Sequence, residues 1–362
     1  MDKNQNSGSG SLPYIPSLDG LRALAVLMVM LYHAWLPAFQ TGSIGVNIFF
    51  VLSGYLITCQ LMREYRRSGS IKLRNFLMRR VLRTFPALWL LLLASGITVL
   101  ILPSFLGGRP VLHLLSGLLF FANILQFNHV FEGGSDLGAL THLWSISLEE
   151  QFYVIWPLIL TPVLCREKTR KWIGLVLLAA SLVLFLLSPY HSSRIFTSWV
   201  KVFQIWGDGA SGLLLGCWLA VMICGRPALG KEHFLQRISG IFSGGCSLIL
   251  ILLIAQVPWK LGDGWTGTCS AVLTCSLIYS LLKESQHSYI SRFLSSDILV
   301  WIGRRSYGIY LWHWWWNEIV RECGISGVFF YFIYAGGTIA CAALSFYFVE
   351  EPMLRLKERF HS

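Results

Sequence analysis

Ten stretches of this chain each run for about the twenty residues that a helix needs to cross the hydrocarbon core of a bilayer. They fall near 17–38, 43–62, 82–103, 144–164, 172–188, 198–224, 239–257, 265–283, 297–317 and 326–348. Backbone amides in lipid find no water, and a helix satisfies them within one segment. Only 13% of the 362 residues are charged and 55% are hydrophobic, whereas a soluble domain carries about 25% charged residues. So few charges cannot cover a surface that faces water. The expected fold is all-α, a polytopic transmembrane bundle of about ten spanning helices plus one re-entrant or interfacial segment.

That extra segment is "VLHLLSGLLFFANILQF" (111–127), which a glycine-rich, acidic loop follows. Charge decides how to read it, because Lys and Arg in short loops stay on the cytoplasmic side. Residues 63–83 hold eight of them (Arg63, Arg66, Arg67, Lys72, Arg74, Arg79, Arg80 and Arg83) against one acid, Glu64. With the N-terminus inside and ten spans, 24 of the 29 Lys and Arg are cytoplasmic. A full span at 111–127 would flip "REKTRK" (166–171) to the outside, so the segment reads as re-entrant or interfacial. The expectation is a multi-pass protein of the cell membrane (inner or plasma) with both termini cytoplasmic. Residues 1–14 form a disordered head, 15–352 the bundle and 353–362 a tail.

The net charge of +11 then follows from topology and calls for no nucleic-acid partner. No repeat of fixed period is present, and no cleavable signal peptide is expected, since the first apolar segment is too long. The nine cysteines lie in or beside apolar segments without metal-ligand spacing, which fits small apolar packing. No metal site is expected.

Against this apolar background the ionisable residues stand out. The first helix carries Asp19, Arg22 and His33. Eleven residues separate Arg22 from His33, about 20° past three full turns, so both share a face roughly 16 Å apart along the axis. Asp19 lies at the i, i+3 spacing that allows a pair with Arg22. Arg22 near the inner headgroups can snorkel, whereas His33 lies deeper, where an ionisable group marks an interior site or a satisfied structural histidine. The second segment, "GSIGVNIFFVLSGYLIT", places the small residues Ser53 and Gly54 where helices approach closely. Arg80 and Arg83 are neighbours on one helical face, and paired guanidinium forks suit a phosphate.

"SLDGLRALAVLMVMLYH", "GVNIFFVLSGYLIT", "RRVLRTFPALWL", "HLWSISLEEQFYVIWP" and "WIGRRSYGIYLWHW", in that order, resemble the membrane acyltransferase-3 family, the integral-membrane proteins that O-acylate glycans and other acceptors. The resemblance covers about 17–352. It implies transfer of an acyl group, most often acetyl, from cytosolic acyl-CoA (acetyl-CoA) to a hydroxyl, commonly on a glycan or glycolipid outside. Carried over by motif, Arg22 and His33 are the family's Arg-x10-His pair and Arg80 and Arg83 its Arg-x-x-Arg. The arginines then hold the donor's phosphates. The imidazole of His33 serves as general base or as transient acyl acceptor, and both roles stay open.

The sequence departs from the family at Asn47, where an acid is frequent. Asp208, in "IWGDGASGLLLG", resembles an acid of the seventh helix in many relatives and is taken as a site residue. In "THLWSISLEEQFYVIWP", His142, Ser145, Glu149 and Glu150 suit either helix capping or a site. The resemblance favours Glu149 as catalytic support and His142 on the acceptor side. Ser306, Tyr310 and His313 form one polar stripe of "GRRSYGIYLWHWWW" and are candidate substrate contacts, with His313 equally suited to an interfacial structural role. Trp312, Trp314, Trp315 and Trp316 read as interfacial anchors. Glu350, Glu351 and Pro352 match a family signature without assigned chemistry.

Two rival classes are a glycan transporter or flippase, and an enzyme acylating a small cytosolic molecule. Neither the repeats nor the paired broken helices of many transporters are evident. Some relatives carry a second, hydrolase-like domain. Nothing of that kind and no G-x-S-x-G elbow follow here, so the expectation is direct transfer or a separate extracytoplasmic transferase partner. Membrane lipids complete the expected partners.

Overall fold

The computed structural model describes residues 14–126, 137–187, 198–224, 234–257, 265–283 and 288–356. Every regular element in them is helical. Large apolar side chains face outward along several helices, among them Leu93, Ile97, Leu100, Leu158, Phe329 and Phe332. A water-soluble fold does not expose so many, and a lipid-facing one does.

The helices are α1 (Pro16–His33), α2 (Ile44–Ser68), α3 (Leu73–Ile101), α4 (Pro110–Leu118), α5 (Leu143–Cys165), α6 (Glu167–Leu187), α7 (Ser198–Cys224), α8 (Phe234–Ile254), α9 (Thr266–Lys283), α10 (Tyr289–Leu294), α11 (Asp297–Arg304), α12 (Ser306–Glu322), α13 (Gly327–Ser345) and α14 (Glu351–Leu356). Among the described residues, three helical stretches are both long and apolar enough to cross a membrane: Ile44–Ser68, Leu73–Ile101 and Gly327–Leu356. Lys171–Leu184, Gly209–Cys224 and Ser243–Ile254 are shorter apolar helices.

α2 is the central element and packs against α1, α5, α7 and α9. Its contact with α7 is backbone to backbone. A Cβ on Gly54 would lie 2.1 Å from the Leu213 carbonyl oxygen, and one on Gly216 would lie 2.2 Å from that of Val51. Only glycine allows that approach, as the small-residue pattern of the second segment suggests.

Several boundaries differ from the sequence reading. α1 stops at His33 rather than running to 38, because Trp35 takes a positive φ of 57° and Pro37 opens a 3-10 turn. The basic stretch 63–83 is mostly helical: α2 continues to Ser68, Gly69 closes it in the left-handed region at φ 69°, and α3 begins at Leu73. The segment expected as one helix over 297–317 is broken at Arg305. Its guanidinium caps the break by donating to the Trp301 carbonyl (3.0 Å) and the Tyr347 hydroxyl (2.6 Å), between the rings of Trp301, Phe346 and Tyr347. The last helix passes 348 through a π turn (Phe346–Glu350) and reaches Leu356.

Within 111–127, α4 is only nine residues long and breaks at Phe120, whose φ is 55°. At 1.5 Å per residue such a helix is about 14 Å long, half a hydrocarbon core. Polar side chains of α5 capture the freed backbone. Gln151 donates to the Phe120 carbonyl (2.7 Å) and to Asn123 Oδ1 (3.0 Å), Asn123 returns a bond to Gln151 Oε1 (3.2 Å), and Ser147 accepts from the Ala122 amide (3.2 Å). Broken backbone in lipid needs such partners.

Candidate active site

α1, α2, α3, α5 and α12 enclose a cavity of about 810 Å³, within the range of small-molecule sites. Its mouth lies where α2 meets α3, beside the exposed Arg67, Ser68 and Lys72. Its far end is closed by the buried Ser145, Ile146 and Tyr310. Seven cationic side chains line it against four acidic ones, so the chamber is basic near the mouth, and Val46, Phe49 and Phe50 make it apolar beyond.

The arginines play different parts. Arg79 is paired with Glu64 at 3.1 Å, with 4% and 7% of their side chains exposed, and Glu64 also accepts from the Lys72 amide (2.7 Å). Arg80 donates to Gln60 Oε1 (3.2 Å) and sits near the rings of Phe76 and Tyr153. Arg22 and Arg83 line the cavity and have no hydrogen bond or ion pair among the described residues. The expected pairing of Arg22 with Asp19 is not formed: Asp19 accepts from the Tyr14 hydroxyl (3.0 Å) and lies 3.9 Å from Arg304. That leaves the Arg22 fork to the chamber.

Glu149 faces the same space and is fixed there, accepting from Ser53 Oγ (2.8 Å) and from the Tyr153 hydroxyl (3.1 Å). Glu150 lines the wall beside it. The capping alternative for Ser145 is not what forms. Its hydroxyl instead meets the Tyr310 hydroxyl at 2.7 Å, and Tyr310 also donates to the His142 carbonyl (3.1 Å). Ser306 lines the cavity with a buried hydroxyl that has no partner among the described residues.

The three histidines form a second group behind Tyr310, and none of them lines the cavity. His33 Nδ1 lies 3.1 Å from His313 Nε2, and His313 Nδ1 lies 2.5 Å from the Tyr310 carbonyl. The His142 ring centroid stands 5.3 Å from that of His313, and both its ring nitrogens are buried without a partner among the described residues. The His33 carbonyl accepts from Asn317 (2.8 Å). Trp314 packs on His33 with ring centroids 4.5 Å apart and walls the histidines, while Trp312 is buried against Trp315, so neither is a lipid-facing anchor.

The fold thus brings Arg22, Arg80, Arg83, Glu149, Ser306 and Tyr310 to one chamber, and His33, His142 and His313 to a cluster behind it. The side chain of Asp208 lies outside the described residues. Its position on α7 is one turn before Gly212, which packs on the Phe50 side chain and the Asn47 carbonyl. Sequence reasoning passed over Gln60, Tyr153 and the hydroxyl of Ser53. A polar group inside an apolar run was the available signal, and Ser53 was taken for its size alone.

Residues 15–347 match the model of the acyltransferase domain family, acyltransferase-3. The chain belongs to that family. Among its relatives, "Peptidoglycan O-acetyltransferase OatA" of Listeria monocytogenes is 33% identical over 363 residues, covering 95% of this chain and 56% of the relative. "Putative O-acetyltransferase SACOL0978" of Staphylococcus aureus is 32% identical, covering 94% of this chain and 57% of the relative. "Putative peptidoglycan O-acetyltransferase YrhL" of Bacillus subtilis is 32% identical, covering 94% and 55%. The chain spans about half the length of these curated relatives. No solved structure matches it.

Proposed function

We propose that this chain is a membrane O-acyltransferase that moves an acyl group, acetyl by preference, from cytosolic acetyl-CoA to a hydroxyl of a cell-surface or lipid-linked glycan. The observation that carries the reading is the chamber itself: a basic mouth, two arginines with no hydrogen bond or ion pair among the described residues, and a closed apolar end backed by histidines. Coenzyme A presents phosphates on a long pantetheine arm. Arg22, Arg80 and Arg83 hold the phosphates as charge-assisted forks, and the arm takes the thioester toward Tyr310 and Ser145. The names of the relatives, two of which specify peptidoglycan, support a glycan acceptor.

In this reading ten helices span the bilayer of the cell membrane, with both termini in the cytoplasm and the acyltransferase unit over 15–352. His33 is the reacting base, reached when the Tyr310–Ser145 contact opens. His142, Ser306 and Tyr310 meet substrate, His313 stands at the substrate site against His33, and Glu149 and Asp208 give support. The acceptor is acylated directly or through a separate extracytoplasmic transferase.

The test is label transfer from radiolabelled acetyl-CoA in inside-out vesicles, with and without host glycan, comparing wild type with Arg80→Ala/Arg83→Ala. Label reaching the glycan in wild type only supports a cytosolic donor site. Movement of unmodified glycan without any transfer points to a transporter and sinks the reading.

A further inference from the structure

We infer that His313 acts on His33 as a positioning residue, fixing it in the tautomer with Nδ1 protonated and Nε2 free to act as the base. This rests on the acyltransferase reading above. It starts from two distances. His313 Nδ1 lies 2.5 Å from the Tyr310 carbonyl oxygen. A carbonyl has only lone pairs, so that nitrogen must carry a proton and donate it. In a neutral imidazole the other nitrogen is then a bare acceptor. His313 Nε2 is that nitrogen, and it lies 3.1 Å from His33 Nδ1. Two bare nitrogens cannot face each other at that distance, so His33 Nδ1 must be the donor, which leaves its Nε2 with the lone pair.

The surroundings keep both rings neutral and in place. His313 is fully buried, and the rings of Tyr32 and Trp314 flank His33. A second charge among such groups would be costly. The His33 backbone carbonyl is held by Asn317 at 2.8 Å, so the end of α1 is tied to α12 at two points. A free imidazole exchanges between tautomers. The Val29 carbonyl, one turn back on α1, also approaches the His33 ring, and the Tyr310 carbonyl, acting through His313, supplies the 3.1 Å hydrogen bond that sets the choice.

In the transfer step, His33 Nε2 takes the proton of the acceptor hydroxyl while the hydroxyl oxygen bonds to the acyl carbonyl carbon. The carbon–sulfur bond of the thioester then breaks, and the departing thiolate recovers the proton from His33. Between those events His33 is an imidazolium, and its Nδ1–H bond to His313 Nε2 becomes charge-assisted and stronger. A fixed acceptor there stabilises the charged state in which the ring carries the hydroxyl's proton.

The experiment uses full-length protein in lipid nanodiscs with 15N-labelled histidine, as wild type, His313→Gln and His313→Leu, with His33→Ala to assign the resonance. Gln places an oxygen acceptor near the position of His313 Nε2, and Leu fills the space without one. We expect His33 protonated at Nδ1 in wild type and His313→Gln, and a mixed or reversed tautomer in His313→Leu. We expect kcat to fall about a hundredfold in His313→Leu, the scale of lost base catalysis. The KM for acetyl-CoA should stay unchanged, because His313 does not line the donor chamber. Substantial activity should return in His313→Gln. A wild-type His33 protonated at Nε2 overturns the inference, and so does a Gln variant no better than Leu. Normal turnover by His33→Ala would instead sink the acyltransferase mechanism while leaving the tautomer measurement standing.

Discussion

Two arginines within five residues, Arg79 and Arg83, should respond to alanine substitution in opposite ways. Arg83 has no hydrogen bond or ion pair among the described residues and lines the chamber. Removing it therefore takes little from the fold and, on the proposed function, deletes one charged contact to the donor's phosphates. A hydrogen bond to a charged group contributes about 1.5–3 kcal/mol. At about 2 kcal/mol, the KM for acetyl-CoA rises roughly thirtyfold with little change in the thermal unfolding midpoint. Arg79 is the reverse. It pairs with Glu64 at 3.1 Å with both side chains buried, so Arg79→Ala strands a carboxylate. Breaking a buried pair costs about 3–5 kcal/mol, and the Lys72 amide that Glu64 also accepts puts this case near the lower end, about 3 kcal/mol. Arg79→Ala should unfold at a clearly lower temperature in detergent, with its folded fraction binding donor nearly as wild type does. Arg83→Lys should recover only part of the lost affinity, because an ammonium cannot make the forked contact. The assay is donor KM in inside-out vesicles beside thermal unfolding of the purified variants. An Arg83→Ala protein with wild-type KM, or an Arg79→Ala protein with wild-type stability and a raised KM, would refute the division of labour.

Other substitutions test the scaffold. Gln151→Leu removes the donor to the Phe120 carbonyl and breaks the exchange with Asn123; a loss of about 1–3 kcal/mol is expected for groups left unpaired, read as a lower unfolding temperature. Gly54→Ala forces a methyl to within 2.1 Å of the Leu213 carbonyl and should destabilise the α2–α7 contact severely, whereas Gly96→Ala, whose nearest neighbour is a Leu114 methyl at 3.8 Å, should be neutral in the same melt. Raising salt should increase the donor KM for wild type, because charges at the exposed mouth are screened beyond about 10 Å at 0.1 M, and the effect should shrink in an Arg67→Ala/Lys72→Ala variant.

Much of the helical order could be read from hydropathy alone. The apolar runs at 144–164, 198–224 and 265–283 return as Leu143–Cys165, Ser198–Cys224 and Thr266–Lys283. What hydropathy missed has a physical reason. The break at Arg305 sits inside a continuous apolar pattern, and the aromatic cage that favours it is completed by Phe346 and Tyr347, which come from the last helix. The basic stretch 63–83 was read as loop from its charge, yet guanidiniums with long apolar stems are good helix formers and face a chamber that helices build. At the site, spacing placed Arg22 and His33 on one face. It could not show that Tyr310, 277 residues beyond His33 in sequence, would stand between the chamber and the histidines. Nor could it show that Asp19 would choose Arg304 over the nearer Arg22, since that choice depends on how closely α11 packs against α1.

The closed end of the chamber bears on cellular energetics. A membrane that stores energy as an ion gradient tolerates no continuous aqueous path through its proteins. The hydroxyls of Tyr310 and Ser145, 2.7 Å apart, stop the chamber short of the histidine cluster. Water and protons entering through the basic mouth meet a buried phenol ring. On the proposed reading, a cell can therefore keep many copies of such a protein without discharging its own membrane, with the Tyr310–Ser145 contact closed except while an acyl group passes.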